Sequence, residues 1–401
     1  MFSRWNLSRN PFDTNPISLG TLDWFTGRKR EVEFCRRLLV DGSVVLVEGE
    51  LGVGTTSFGN AVRFSGSFTT PRMELGVFRG WHSQTLLENV LVAVLRELQE
   101  DPKARKSAVV RRVKPIAANV ERAVHGAGVS FLGIGGQISR NVATTQPGII
   151  PMETLRQSLL DLAQVIRPEG SGASFVVQLN NLDPELTFTE TELVTFLNDI
   201  RDSLQLPGFS WLVVGKAGLS QFVTRKVPRL RSIITHDVVL RPLTLDGVHQ
   251  AIRKRLKACS IPGLKPKNPI HAELLGDVYE VSAGSLREVF MICSKLCLAV
   301  AADPLYDLIT RDQASAILAE LLAVRFERVS SAPLQRSILK ELSKEPGLTQ
   351  TALLERLDKS QTAVSRAARI LIDADLLRRR KDGREVQYWP APEVRLASRE
   401  L

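Results

Sequence analysis

The stretch VVLVEGELGVGTTSF, residues 44–58, has the residue types of a phosphate-binding loop but not its charge. The general pattern is G-x-x-x-x-G-K-S/T, after an apolar strand and before a helix. Gly49 and Gly54 fall on the two fixed glycines, Gly52 adds a third, and Thr56 falls on the hydroxyl. Thr55 stands where the lysine belongs. In a working loop, backbone N–H groups cradle the phosphates, the lysine neutralises the β and γ phosphates, and the hydroxyl holds Mg²⁺. A hydroxyl cannot replace an ammonium facing a triphosphate. With Ser57, these residues form a candidate anion cradle whose neutralising charge is absent.

The loop needs a strand and a helix to hold it, and the surrounding pattern supplies both. The apolar run 43–47 reads as a buried strand, and residues 57–64 suit a helix. A second strand is expected around 73–77, then an amphipathic helix over 83–99 carrying Leu86, Leu87, Val90, Leu91, Val94, Leu95 and Leu98 on its apolar side. Helix returns at 152–166, and ASFVVQLNNLD, FSWLVVGKAGL and SIITHDVVLRPL read as three further strands. Apolar strands alternating with helices imply an α/β fold with a parallel sheet covered on both faces. Between them, residues 103–114 are strongly basic, as a solvated helix face or a binding surface would be. The glycine-rich GAGVSFLGIGGQIS that follows reads as one or two short strands or a hairpin.

Bulk composition narrows the function classes. The 401 residues are 44% apolar and 24% charged, as in ordinary globular proteins, and can form two or three domains. No apolar run is long enough to span a membrane, and the N-terminus lacks a signal-peptide hydrophobic region, so a cytoplasmic protein without membrane contact is expected. Four cysteines argue against a disulfide framework. Cys293 and Cys297 are four apart, but no histidine or second cysteine pair completes a metal set. The five histidines are scattered. The net charge of +10 points to a polyanionic partner, most often nucleic acid.

The order of the elements over residues 9–325 resembles the AAA+ family, and within it the origin-recognition-like ATPases and their bacterial relatives. The resemblance is carried by NPF at 10–12, FTGRKREVEF before the first strand, the glycine loop, and FVVQLNNLD at 175–183. WLVVGKAGL falls where sensor 1 is expected, LRPLTLDGVHQAIRKRL looks like the start of a helical lid, and SAGSLREVF resembles the sensor-2 helix. The resemblance implies an ATP site in which Asn180 and Asn181 occupy the places of the Walker B aspartate and glutamate. It likewise places Lys216 at sensor 1 and Arg287 at the sensor arginine. An asparagine amide is neutral and accepts no proton at neutral pH, so metal hold and base are both weakened. Asp183 lies three residues beyond Asn180 and is a poor substitute. Loss of lysine, aspartate and glutamate together implies a pocket no longer used for hydrolysis. Lys216 either restores a positive charge or points into solvent.

Residues 331–390 have a pattern of their own. LQRSILKELSKE, GLTQTALLERL and KSQTAVSRAARILIDADLL read as three helices, with Ser360 available to cap the third. LLRRRKDGREVQYW then reads as a hairpin turning at Asp382-Gly383. Three helices and a hairpin make a winged helix-turn-helix, and the segment resembles the MarR-like and archaeal winged-helix regulators. In such a domain the third helix enters the major groove. Val364, Ala368 and Leu371 are expected to pack inward, leaving Gln361, Thr362, Ser365, Arg366 and Arg369 outward for bases and phosphates. The wing adds Arg378, Arg379, Arg380, Lys381 and Arg384.

The expected organisation is therefore an α/β P-loop domain over 1–242, a helical lid over 243–328 and a winged helix over 331–401. The expected function is duplex-DNA binding. The degenerate AAA+-like module would act as an assembly or regulatory platform, in a regulator or in a DNA-targeting subunit of a mobile-element or defence system. A homo-oligomer or a partner protein is expected, with ADP or no nucleotide on the loop rather than ATP with Mg²⁺. Two rivals stay open. One is an active ATPase such as an origin-binding initiator or loader, with Lys216 or a partner subunit supplying the missing groups. The other is an interaction scaffold whose winged helix touches no DNA.

Overall fold

The computed structural model describes residues 2–39, 42–66, 68–126, 150–166, 175–183, 187–303, 306–329, 333–382 and 385–397. The chain divides into two compact units: Asn15–Pro242, and Met1–Thr14 with Leu243–Leu401.

The first unit is built on five parallel strands: β1 (Val44–Gly49), β2 (Leu75–Gly76), β3 (Phe175–Leu182), β4 (Phe209–Lys216) and β5 (Ile234–Leu240). Their order across the sheet is β2-β3-β4-β1-β5, so the strand that precedes the glycine loop lies inside the sheet. The helices are α1 (Lys29–Leu38), α2 (Thr55–Phe64), α3 (Ser83–Glu100), α4 (Ala108–Gly126), α5 (Met152–Ile166), α6 (Glu190–Ile200), α7 (Leu219–Lys226) and α8 (Pro228–Arg231). Successive residues of a strand point to opposite faces. Val44 and Leu46 accordingly enter a core with α3, α5 and α6, whereas Val45 and Val47 enter a second core with α1 and α2. Burying each such side chain stabilises the fold by about 1.5–3 kcal/mol. This two-sided burial explains why the strands read as continuous apolar runs.

The basic run at 103–114 is partly helical: α4 begins at Ala108 and buries Val110, Val113, Ala117 and Val120. The glycine-rich segment expected as strands lies outside the described residues from 127 onward.

The second unit carries α9 (Leu245–Ala258), α10 (Ala272–Val281), α11 (Leu286–Ala299) and α12 (Arg311–Val329). The N-terminal segment is stitched to them. Trp5 is fully buried and donates from Nε1 to the Asp307 carbonyl at 2.8 Å. Asn10 donates to Ser294 Oγ at 2.7 Å, and the Arg255 guanidinium donates to the Asp13 carbonyl at 2.5 Å while lying 4.1 Å from the centre of the Phe290 ring. Burial lowers the Arg255 pKa to about 10, against the opposing pull of Asp13.

The remainder of this unit is a winged helix-turn-helix. It consists of α13 (Pro333–Lys344), β6 (Leu348–Thr349), α14 (Gln350–Leu357), α15 (Gln361–Asp373), β7 (Leu377–Asp382), β8 (Glu385–Pro390) and α16 (Pro392–Ala397). The antiparallel sheet runs β6-β8-β7, and the pairing of Asp382 with Glu385 leaves a two-residue connection at the expected hairpin. Gly347, at φ +93°, passes so close to the Trp389 ring that a Cβ would lie 2.6 Å from it. Among the described residues, no helix is long and apolar enough to cross a membrane.

Candidate nucleotide cradle and nucleic-acid interface

The glycine loop joins β1 to α2, as a phosphate-binding loop must. A Cβ on Gly49 would meet the Leu240 carbonyl at 2.9 Å and Val53 Cγ2 at 2.8 Å, so only glycine fits at the strand end. Gly52 and Gly54 have φ of +87° and +92°, a region other residues rarely adopt. Gly54 caps α2, and Thr55, Thr56 and Ser57 form its first turn, half-buried. The first N–H groups of a helix lack internal partners and attract anions. Ser57 Oγ is already used, accepting from the Ile17 N–H at 3.1 Å.

A buried polar network that sequence reading did not identify supports the loop from below. Arg63, on α2, is 1% exposed and donates to Gln178 Oε1 at 2.9 Å, Asn60 Oδ1 at 2.6 Å and Thr70 Oγ1 at 2.9 Å. Gln178 in turn donates from Nε2 to Asn180 Oδ1 at 3.0 Å and to the Thr56 carbonyl at 3.4 Å. Burial pushes Arg63 down to about 10, with Glu74 and Glu97 opposing, so it keeps its charge at neutral pH. Asn180 is thus committed to an amide relay. A polar residue in mid-strand and a charged one on an apolar helix face were the available signals.

The loop has a second tie. Arg28, 6% exposed, donates to the Val53 carbonyl at 3.2 Å and to the Arg241 carbonyl at 2.6 Å, clamping the loop to the end of β5. Desolvation lowers its pKa.

The remaining candidates fall in different places. Asn181 is exposed and left-handed at φ +68°, where a β-bulge interrupts the β3–β4 register. Asparagine tolerates that conformation better than most residues. Lys216 is half-buried and pairs in register with Gly49, so its backbone flanks the start of the loop. Arg287 belongs to the second unit, exposed in the first turn of α11. Among the described residues, no cluster of three or more His, Cys, Asp or Glu is arranged to hold a metal.

In the winged helix, Thr349 and Ser360 cap α14 and α15 by accepting from Ala352 and Ala363 N–H. Val364, Ala367, Ala368 and Leu371 form the buried face of α15. Gln361, Thr362, Arg366 and Arg369 are exposed on the other side. Ser365 departs from expectation: it is half-buried and its Oγ accepts from Gln350 Nε2 at 2.6 Å, because its position turns toward α14. Arg378 departs too, since its guanidinium is paired with Glu288 of α11. Arg379 is exposed, the side chains of Arg380 and Lys381 lie outside the described set, and so does Arg384.

The α16 helix packs on α12 and α10, and Lys295 Nζ meets Glu393 Oε1 at 2.5 Å, so the winged helix is joined to the helices before it by more than chain continuity.

Comparison with known proteins adds to this geometry. The chain is 21% identical, over 97% of its length and 92% of the relative's, to an uncharacterised helix-turn-helix transcriptional regulator of Methanocaldococcus jannaschii. Among solved structures it is similar to the Aeropyrum pernix ORC2 protein in its ADPNP–ADP complexes, with 15% identity, 98% and 96% coverage of the two chains and a TM-score of 0.49. It is also similar to the ORC1 protein of the same organism in complex with DNA, with 13% identity, 99% and 96% coverage and a TM-score of 0.45. Residues 332–385 match the model of the MarR family.

Proposed function

We propose that this chain is a duplex-DNA-binding protein in which the winged helix reads the sequence and the P-loop unit serves as an assembly or regulatory platform without hydrolysing ATP. The observation that carries the reading is the division of α15 into a buried face of Val364, Ala367, Ala368 and Leu371 and an exposed face of Gln361, Thr362, Arg366 and Arg369. Those exposed types pair with base edges and phosphates. The match of residues 332–385 to the MarR family model and the likeness to a helix-turn-helix regulator support it. On this reading the functional parts are a P-loop domain over 1–242, a lid over 243–328 and the winged helix over 331–401. The chain acts as a regulator, or as a DNA-targeting subunit of a mobile-element or defence system, and assembles with copies of itself or a partner protein.

The backbone of residues 49–57 suits a phosphate, but the charges that handle a magnesium triphosphate do not accompany it. Thr55 is neutral, Asn180 is bonded to Gln178, and Asn181 faces solvent. A diphosphate or a bare anion on the loop N–H groups fits this set better than ATP with Mg²⁺. One observation favours the rival of an active ATPase: the register of Lys216 beside Gly49. Fluorescence anisotropy of the full-length protein on labelled duplexes tests the main reading. Salt-dependent binding that Arg366→Ala weakens is expected, and binding to no duplex at low salt overturns it. A saturable, metal-dependent ATPase rate abolished by Thr56→Ala would favour the rival.

A further inference from the structure

We infer that the exposed stripe of α4, with the turn before it, is a second duplex-binding surface that grips the phosphate backbone without reading bases. The inference rests on the reading that the chain binds duplex DNA, and it concerns a unit that does not contain the winged helix.

Arg111, Lys114, Ala118 and Arg122 follow one another at spacings of three, four and four, which puts them on one stripe of the helix. The stripe runs alongside the face that buries Val110, Val113, Ala117 and Val120, and its cations are exposed. It runs for about 17 Å at 1.5 Å per residue. Arg111 reaches back to donate to the Lys106 carbonyl at 3.0 Å, which joins the preceding turn to the stripe. Lys106, Arg111, Lys114 and Arg122 are all exposed, and among the described residues none has an ion-pair partner.

A solvated helix face ordinarily mixes both signs along its length. Here the neighbouring carboxylates are engaged elsewhere. Glu121 pairs with Arg96 at 2.8 Å, Asp161 with Arg112, and Glu100 with Arg72 at 3.4 Å, while Asp101 accepts from the N–H groups of Lys103 and Ala104. Residues 127–149, which follow the helix, contain no Asp or Glu to neutralise it.

The composition of the stripe also selects the partner. It carries no aromatic side chain on which an unpaired base could stack, which disfavours single strands. Between the cations it offers only Pro115, Ala118 and Asn119, with no large apolar anchor of the kind that dominates protein interfaces. Asn119, the one base-reading type among these, already accepts from Arg122 at 2.8 Å, and the long cationic side chains match a row of phosphates.

The test uses the full-length protein and a random-sequence duplex titrated across salt. The variant Lys106→Ala, Arg111→Ala, Lys114→Ala and Arg122→Ala combined changes only exposed side chains. It is expected to keep its thermal midpoint, to lose about tenfold or more in affinity near 0.1 M salt, and to flatten the salt slope by about three units. Exchanging Lys and Arg at the same four positions is expected to retain binding. If the four-alanine variant binds with unchanged slope while Arg366→Ala with Arg379→Ala abolishes binding, this inference falls and the winged-helix reading stands. If the outcomes are reversed, this inference stands and the winged helix is not the reader. If the wild type binds no duplex, both fall.

Discussion

Arg378, in the first wing strand, donates to the carboxylate of Glu288 in α11, so a cation that the sequence assigns to DNA is held by the protein itself. Glu288 follows Arg287, and the same helix supplies Lys295 to Glu393. The wing therefore carries less free charge than its sequence suggests. Duplex binding through Arg378 has to displace Glu288 first. Replacing Glu288 by Gln is expected to strengthen binding to all duplexes about two- to fivefold and to steepen the salt slope by about one unit, as one phosphate contact does. Anisotropy across a salt titration reads both quantities, and an unchanged slope would mean that Arg378 stays out of the DNA contact.

The exposed faces of α15 and of the wing predict different signatures. Arg366→Ala is expected to reduce discrimination between cognate and random duplex, since a guanine contact by arginine is worth roughly 1–3 kcal/mol. Arg379→Ala is expected to weaken all duplexes about equally and to lower the salt slope by about one unit. Competition binding with a selected site against random sequence separates the two.

Asn181 adopts a left-handed conformation that most side chains avoid, so placing a glutamate there meets a backbone obstacle. Asn181→Gly is expected to leave stability unchanged or slightly raised, and Asn181→Glu to lower it by about 1 kcal/mol. Denaturant unfolding of the two variants beside the wild type measures the difference. Equal midpoints for all three would show that the bulge relaxes freely.

Arg63 closes the amide network under the glycine loop, with a salt bridge to Glu74 at 3.8 Å. Arg63→Leu leaves the buried Gln178, Asn60 and Thr70 without their donor. A loss of about 3 kcal/mol is expected, as for other broken buried charge networks. Thermal unfolding checks it, and a loss under 1 kcal/mol would mean that water replaces the guanidinium.

Burial pushes the Glu393 carboxyl up, but the Lys295 hydrogen bond and charge, its own backbone N–H and Arg378 together outweigh it, and its pKa ends below the ordinary 4.5. A carboxylate depressed in the folded state adds stability above its unfolded pKa and loses it as pH falls through the folded value. Glu393→Gln is expected to cost about 1–2 kcal/mol at pH 7 and progressively less below about pH 4.5. Urea unfolding at pH 7 and pH 3.5 gives the comparison. A cost independent of pH would place the effect in packing.

Much of the architecture was legible because its causes are local. Val44–Val47 read as a buried strand since both faces of a parallel sheet are covered, and Asp382-Gly383 read as a hairpin from turn chemistry alone. The glycines at 49, 52 and 54 announced a tight strand-to-helix turn, and the structure places each where a side chain would clash or strain. The exposed face of α15 followed from helical periodicity, with Ser365 the exception, because its partner Gln350 lies fifteen residues away. What only the tertiary structure decided is which charges are already spent. Arg28 reaches a carbonyl 213 residues on, Arg63 meets Gln178 115 residues on, and Arg378 meets Glu288 90 residues back. A lone residue type shows that a charge exists. Whether that charge faces a ligand or a buried partner depends on contacts between distant segments, and no local pattern encodes those.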